Sequence, residues 1–244
     1  MIDLHAHLLP GIDDGPPDID AALALARAQV KDGVRVAFAT PHVYPGQWNN
    51  TRSSILVAYA SFEYALQRMG IPLRLCVAGE VRLNADIMDL HQQDELPFLG
   101  LCEGMHTMLL EMPDGSIPVG SDRLVRYLLD NRIRPVLVHP ERNKAVMEKP
   151  ERLRPFVDMG CFVQLTAASV IGEFGPSAQR TAQTLIDNEW VDLVASDTHN
   201  LKGRAPRMGA ARKALATTYG EAFANQLTWL GPAHIAGLNA PVPT

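Results

Sequence analysis

Two histidines, His5 and His7, stand one residue apart in the opening MIDLHAHLLPGIDDGP, and two aspartates, Asp13 and Asp14, follow at once. The histidines lie in an apolar run with Ile2, Leu4, Leu8 and Leu9, which reads as a short strand. Residues two apart on a strand face the same side, so both imidazoles converge on one point. Two imidazoles on one face with carboxylates close behind suit metal binding, whereas a lone buried histidine is usually a satisfied core residue.

Further along the chain, other apolar runs end in the same residue types. VRVAFATPH ends in His42, LRLCVAGE in Glu80 and HTMLLEM in Glu111. RPVLVHPE delivers His139, and WVDLVASD runs into SDTHN with Asp197 and His199. Any one of these could cap a helix or shape a turn. Glu80 and Glu111 are harder to dismiss, because each follows a buried-looking strand where an unpaired carboxylate is costly.

His5, His7, Asp14, His42, Glu80, Glu111, His139, Asp197 and His199 form a set of nine candidate metal ligands. Imidazole and carboxylate without thiolate suit Mn, Fe, Zn or Co at a catalytic centre. Nine are too many for one ion and enough for two or three if a carboxylate bridges, with Glu80 as the candidate bridge. Four carboxylates leave three divalent ions in excess by two positive charges, which matches a phosphate dianion. A metal-activated water, its pKa lowered from 15.7 towards ~7, would be the nucleophile. Arg142 in HPER and Arg204 in NLKGRAPR could grip the phosphate, and Arg207 is the weaker candidate. Asp13 is expected to shape the turn or support a ligand. Tyr44 and Trp48, in YPGQWNN, either flank an aromatic phosphoester or anchor their loop.

Seven strand-like runs must position these residues: MIDLHAH, VRVAFATPH, LRLCVAGE, HTMLLEM, RPVLVHPE, CFVQLTA and WVDLVASD. Helical patterns between them span 18–32 (capped by Asp18 and stopped at Gly33), 51–69, 121–132, 150–159, 177–189 and 205–230. Strand then helix, repeated about seven times, predicts a parallel α/β fold. Near-continuous apolarity of the strands suits burial on both faces. Periodicity leaves open whether the sheet closes. Six of the seven runs carry His, Asp or Glu at the C-terminal end, where parallel barrels build their active sites. No linker divides the chain, so one domain over 1–244 is expected, with a frayed PVPT tail.

The 244 residues are 47% hydrophobic and 20% charged, an ordinary globular composition. A net charge of −5 shows no basic surface for nucleic acid or an anionic membrane. Cys76, Cys102 and Cys161 are widely spaced without C-x-x-C, which argues for reduced thiols. The charged start leaves no room for a secretory signal, and no apolar run approaches the ~20 residues of a membrane span. A cytoplasmic, soluble protein is expected.

HAH, GIDDGP, TPH, GE, LLE, HPER, SDTHN and GRAP, in this order, resemble the PHP (polymerase and histidinol phosphatase) superfamily. The resemblance runs from Met1 to about Gly231 and is most specific to its bacterial protein-tyrosine phosphatases of the CpsB/YwqE type. It implies a distorted (β/α)7 barrel and a trinuclear, typically manganese-dependent site. By motif, His5, His7, Glu80 and Asp197 would hold one metal, Glu80, Glu111 and His139 a second, and Asp14, His42 and His199 the third. Arg142 and Arg204 would bind the phosphate and assist its transfer. The implied substrate is the phosphotyrosine cluster in the C-terminal tail of a bacterial tyrosine kinase that regulates capsule or exopolysaccharide export. One departure is Gly231 before Pro232, where relatives often carry Asn-Pro.

Rival readings carry less. Cys76-VAGEV-Arg82 formally satisfies C-x5-R, the signature of cysteine-dependent phosphatases. Its loop would aim Glu80 at the bound anion, and burial would raise the thiol pKa rather than lower it. Small-molecule hydrolysis, as of histidinol phosphate, would use the same metals, and a non-catalytic metal module would not need both arginines. G-x-x-x-x-G-K-[ST], G-x-G-x-x-G and G-x-S-x-G are all absent, so nucleotide binding and serine hydrolysis have no sequence basis.

Overall fold

The computed structural model describes residues 1–239; the expected fraying of the PVPT tail lies outside the described residues. Ten strands appear: β1 (Ile2–Ala6), β2 (Val36–Ala39), β3 (His42–Val43), β4 (Arg74–Val77), β5 (Glu80–Arg82), β6 (Gly100–Cys102), β7 (Met105–Glu111), β8 (Ile133–Val138), β9 (Phe162–Thr166) and β10 (Leu193–Ala195). All pairings are parallel except β6 with β7, which form an antiparallel hairpin outside the sequence-based expectation.

The seven predicted runs become seven barrel positions. VRVAFATPH is split into β2 and β3 at Thr40-Pro41, and LRLCVAGE into β4 and β5 at Ala78-Gly79. Proline cannot donate to a ladder, and a Cβ on Gly79 would lie 2.5 Å from the Pro97 ring, so both breaks have a local cause. The sheet closes. Asp197 N–H donates to His5 O at 2.8 Å and His7 N–H to Thr198 O at 2.9 Å, joining the end of β10 to the end of β1.

Inward-facing side chains sort by height. Ile2, Leu4, Phe38, Leu109, Val136, Val138 and Leu193 fill the lower barrel as one apolar cluster. Ala233 and Ile235 from the helix Gly231–Ile235, with Ala236 at its C-cap, plug its N-terminal end. The outer layer packs alternate strand residues such as Met108, Leu110, Leu137, Val163 and Leu165 against the surrounding helices. The helix Ile19–Lys31 packs here through Ala22, Leu25 and Ala26, and the Asp18 carboxylate accepts from Ala21 N–H as its cap.

The expected helix over 205–230 is broken. Met208–Tyr219 stops at Gly220, whose φ of 93° and ψ of 160° are accessible mainly to glycine, and shorter helical segments follow. Short helices at Asp86–Gln92, Lys144–Glu148 and Ala167–Val170 also lie outside the sequence expectation. Gly231 has a packing reason, because a Cβ there would fall 2.3 Å from Asp192 O. It sits below β10, at the opposite end from the candidate ligands. Among the described residues, no helix is long and apolar enough to cross a membrane.

Candidate metal centre

All nine candidate ligands meet at the C-terminal mouth of the barrel. Strand register explains much of this: His42 pairs with Glu80 across β3 and β5, and Arg82 with Glu111 across β5 and β7. His139 follows β8 directly and Asp197 lies two residues beyond β10, with φ of 36° and 52°. Left-handed backbone at non-glycine residues costs about 1–3 kcal/mol and collects at functional sites, because surrounding structure must impose it.

Glu80 is central. Its Oε2 lies 3.3 Å from both His5 Nε2 and His7 Nε2 and 3.0 Å from His42 Nδ1, while Oε1 lies 2.8 Å from His139 Nε2. Asp197 Oδ1 closes the first group at 3.4 and 3.6 Å from the same two Nε2 atoms. Glu111 stands 3.9 Å from His42 Nδ1 and 4.0 Å from His139 Nε2. On the outer side, Asp14 Oδ1 lies 3.2 Å from His199 Nε2 and 3.4 Å from His42 Nε2. His42 therefore faces two groups at once, between Glu80 with Glu111 and Asp14 with His199. Asp14 is 43% exposed and the others are largely buried.

Supporting contacts point the imidazoles inward. His7 Nδ1 lies 2.6 Å from Asp13 Oδ2, and Asp13 also accepts from Gly15 N–H and His42 N–H, the supporting role expected of it. His5 Nδ1 meets Gln164 Oε1 at 2.9 Å, and His199 Nδ1 meets Asp197 O at 3.0 Å. With Nδ1–H donated outward, each Nε2 keeps its lone pair for the centre. Gln164 escaped the sequence reading: β9 is the strand without a terminal acid or histidine, and an inward glutamine was the available signal.

The donor set fits a cation. Glu80 Oε2, Asp197 Oδ1 and His199 Nε2 are buried, face the cluster and make no hydrogen bond within the protein. Buried polar atoms left so are expensive, and a cation satisfies all three. Charge balance agrees. Burial and the neighbouring Glu80 push the Glu111 carboxyl up to about 7. Burial opposes charge on His7, yet Asp13 and Glu80 overcome it and raise the imidazole to about 10. A carboxyl raised by its neighbour and an imidazole that carboxylates hold protonated mark a cluster short of positive charge.

Arg142 and Arg204 both reach Asp197 Oδ2, at 2.5 and 2.6 Å. Arg204 Nε is a buried donor with no acceptor in the protein. Arg142 also lies against the Phe174 ring, 5.0 Å from its centroid, and Trp48 stacks on His42 at 6.4 Å and 11°. Tyr44 and Trp48 bond to each other's backbone in a small hairpin, and Tyr44 lies under the Arg82 guanidinium at 5.3 Å. Arg82 joins the mouth through Glu111 Oε2 at 2.9 Å. Its position two residues beyond Glu80 on the same strand was the missed signal. Arg207, the weaker candidate, pairs with Glu173 instead. Cys76 lies on β4 against the lower apolar cluster, where burial raises its thiol, so C-x5-R forms no anion cradle.

Known proteins resemble this chain over nearly its whole length. A family model described as capsular polysaccharide synthesis, CpsB/CapC, matches residues 1–236. Tyrosine-protein phosphatase YwqE of Bacillus subtilis is 31% identical over 93% of this chain and 89% of its own. Tyrosine-protein phosphatase CpsB of Streptococcus pneumoniae is 28% identical over 93% and 94%. A chain from the crystal structures of YwqE and CpsB, described as metal-dependent tyrosine phosphatases, superposes with TM-score 0.89 at 28% identity, covering 100% of this chain and 97% of that one. The phosphotriesterase homology protein of Escherichia coli matches at TM-score 0.63 and 11% identity over 96% and 98%, a likeness of barrel fold alone. With nearly its whole length matched, this chain belongs to the CpsB/CapC family of capsular polysaccharide synthesis proteins.

Proposed function

We propose that the chain is a metal-dependent protein-tyrosine phosphatase, a phosphoric monoester hydrolase acting on phosphotyrosine. The observation that carries this reading is the pairing of the three unsatisfied atoms, Glu80 Oε2, Asp197 Oδ1 and His199 Nε2, with the unsatisfied donor Arg204 Nε. The first three call for cations and the last for an anion, which is the demand of a phosphoester between metal ions and arginine. The relatives named as tyrosine phosphatases support the substrate class.

His5, His7, Glu80 and Asp197 would hold one ion, Glu80, Glu111 and His139 a second, and Asp14, His42 and His199 a third, with Glu80 shared. The ions are two or three in number, Mn2+ first, with Fe, Zn or Co as alternatives for an imidazole–carboxylate set. When bound, they supply Lewis-acid stabilisation of the phosphoryl group and acidify water. The chain does the rest. Asp13 and Gln164 hold His7 and His5 in the tautomer whose Nε2 faces the centre. Arg142 and Arg204, oriented by Asp197, turn guanidinium donors towards the phosphate oxygens, where charge grows during transfer. Trp48 and Phe174 stand beside His42 and Arg142 as walls for the phenyl ring of a tyrosine.

The partner would be the tyrosine-phosphorylated C-terminal tail of a bacterial kinase in capsule or exopolysaccharide synthesis, met in the cytoplasm. The test uses protein stripped with chelator and reloaded with Mn2+. We expect hydrolysis of a phosphotyrosine tail peptide, abolished by chelator and faster than that of histidinol phosphate. A preference for histidinol phosphate would keep the centre and overturn the protein substrate.

A further inference from the structure

At the opposite end of the barrel, three side chains of different chemistry converge. Cys102 ends β6, Glu103 follows in the turn to β7, and His234 lies on the helix Gly231–Ile235 that plugs the barrel. Cys102 Sγ lies 3.3 Å from His234 Nε2, and His234 Nε2 lies 3.5 Å from Glu103 Oε1. All three ligand atoms fall within 4.8 Å of one another. Tetrahedral zinc with bonds of roughly 2.3 Å to sulfur and 2.0–2.1 Å to nitrogen or oxygen needs about 3.5 Å between S and N and about 3.4 Å between N and O. The spacing therefore fits one ion held by three ligands, with the fourth position open to solvent.

The setting supports a built site. Arg134 binds Glu103 Oε2 at 3.0 Å and leaves Oε1 to face His234, the arrangement by which an outer partner orients a ligating carboxylate. The two segments are also locked together by backbone. A Cβ on Gly100 would fall 2.2 Å from Ala236 O, and one on Gly237 would fall 2.3 Å from Leu101 O. Thr107 Oγ1 donates to Ile235 O at 2.8 Å. Little movement is needed for the ligands to meet an ion.

We propose that Cys102, Glu103 and His234 form a second metal site, selective for zinc or cobalt over manganese, which staples the C-terminal plug to the β6–β7 hairpin. One thiolate sets its preference, because soft sulfur favours zinc-like ions while the oxygen-rich mouth tolerates harder ones. On binding, the Cys102 S–H bond breaks, a metal–sulfur bond forms and the proton leaves to solvent.

The discriminating measurement is a Co2+ titration of the full-length, Mn2+-loaded protein. The ligand groups of the catalytic mouth contain no cysteine, so a near-ultraviolet thiolate-to-cobalt charge-transfer band reports a cysteine site elsewhere. The band should appear in the wild type and in Cys76→Ser, vanish in Cys102→Ser and be lost or greatly weakened in His234→Asn. His234 is largely exposed and lies far from the mouth, so that variant folds and keeps its phosphatase activity. Zn2+ should raise the melting temperature of the wild type and not that of His234→Asn. No band at saturating Co2+, or a band of full intensity in His234→Asn, overturns the site and leaves a thiol–imidazole hydrogen bond.

Discussion

The two ends of this barrel are built from the same strands by opposite rules. At the N-terminal end, Ile2, Leu4, Phe38, Leu109 and Leu193 pack under the plug of Ala233 and Ile235 as an apolar interior. At the C-terminal end, His5, Glu80, Glu111, His139 and Asp197 occupy the same interior space and leave polar atoms unsatisfied. The interior of one end is filled by side chains alone; the interior of the other gains from a ligand. On β7 and β10 one strand parity supplies both, Leu109 with Glu111 and Leu193 with Asp197, whereas on β1 a register shift between Asp3 and Ala6 separates Ile2 and Leu4 from His5 and His7.

If that contrast is right, the largest effect comes from the charged end. Glu80→Gln keeps the shape and removes the shared charge, so hydrolysis of an aryl phosphate with Mn2+ should drop to the chelator-treated level while circular dichroism stays native. Retained turnover would break the contrast. Next, Arg204→Lys replaces a planar donor by a point charge and should lower kcat/KM by about a hundred- to a thousand-fold. At the apolar end, Gly231→Ala drives a methyl against Asp192 O. It should cost about 1–3 kcal/mol in denaturant melts, with the activity of the folded fraction unchanged.

Smaller effects sharpen the picture. Phe174→Ala removes a 37%-exposed ring beside Arg142. It should raise KM for aryl phosphates by about 2- to 10-fold and leave alkyl phosphates unaffected, since aromatic contacts contribute about 0.5–1.5 kcal/mol. The smallest effect concerns Asp192, below β10, whose carboxyl burial pushes up from 3.8 to about 6. The folded state thus favours the protonated acid, so its stability contribution is greatest at acid pH and falls as pH rises through about 6. Asp192→Asn, which keeps the acceptor for Val163 N–H, should flatten that fall, by at most about 1 kcal/mol for a partly solvated group. Melting temperature against pH for both proteins checks it.

Most of the mouth was legible because strand ends are local: an apolar run followed by His, Asp or Glu needs no tertiary knowledge. The residues that escaped depend on contacts between distant segments. Gln164 matters only once β9 brings it to His5, and Phe174 only once its loop folds over Arg142. Closure of the sheet was equally invisible, because it rests on hydrogen bonds between residues 5–7 and 197–198. The break at Gly220 had a local sign, the glycine itself, but helical spacing on both sides outweighed it. The β6–β7 hairpin was hidden by its short strands and by Glu103 in a left-handed turn with Gly104.

Those closing hydrogen bonds also set an order in time. His5 and His7 leave the ribosome about 190 residues ahead of Asp197 and His199, yet they share one group of ligands. Contacts of such long sequence separation form late, after the loop entropy of nearly the whole chain has been overcome. A nascent or truncated chain can bury much of its apolar layer and still possess no reaction centre. Hydrolysis is therefore an all-or-none property of the finished barrel, and a chain still lacking β10 has no centre at which a phosphoester could be turned over.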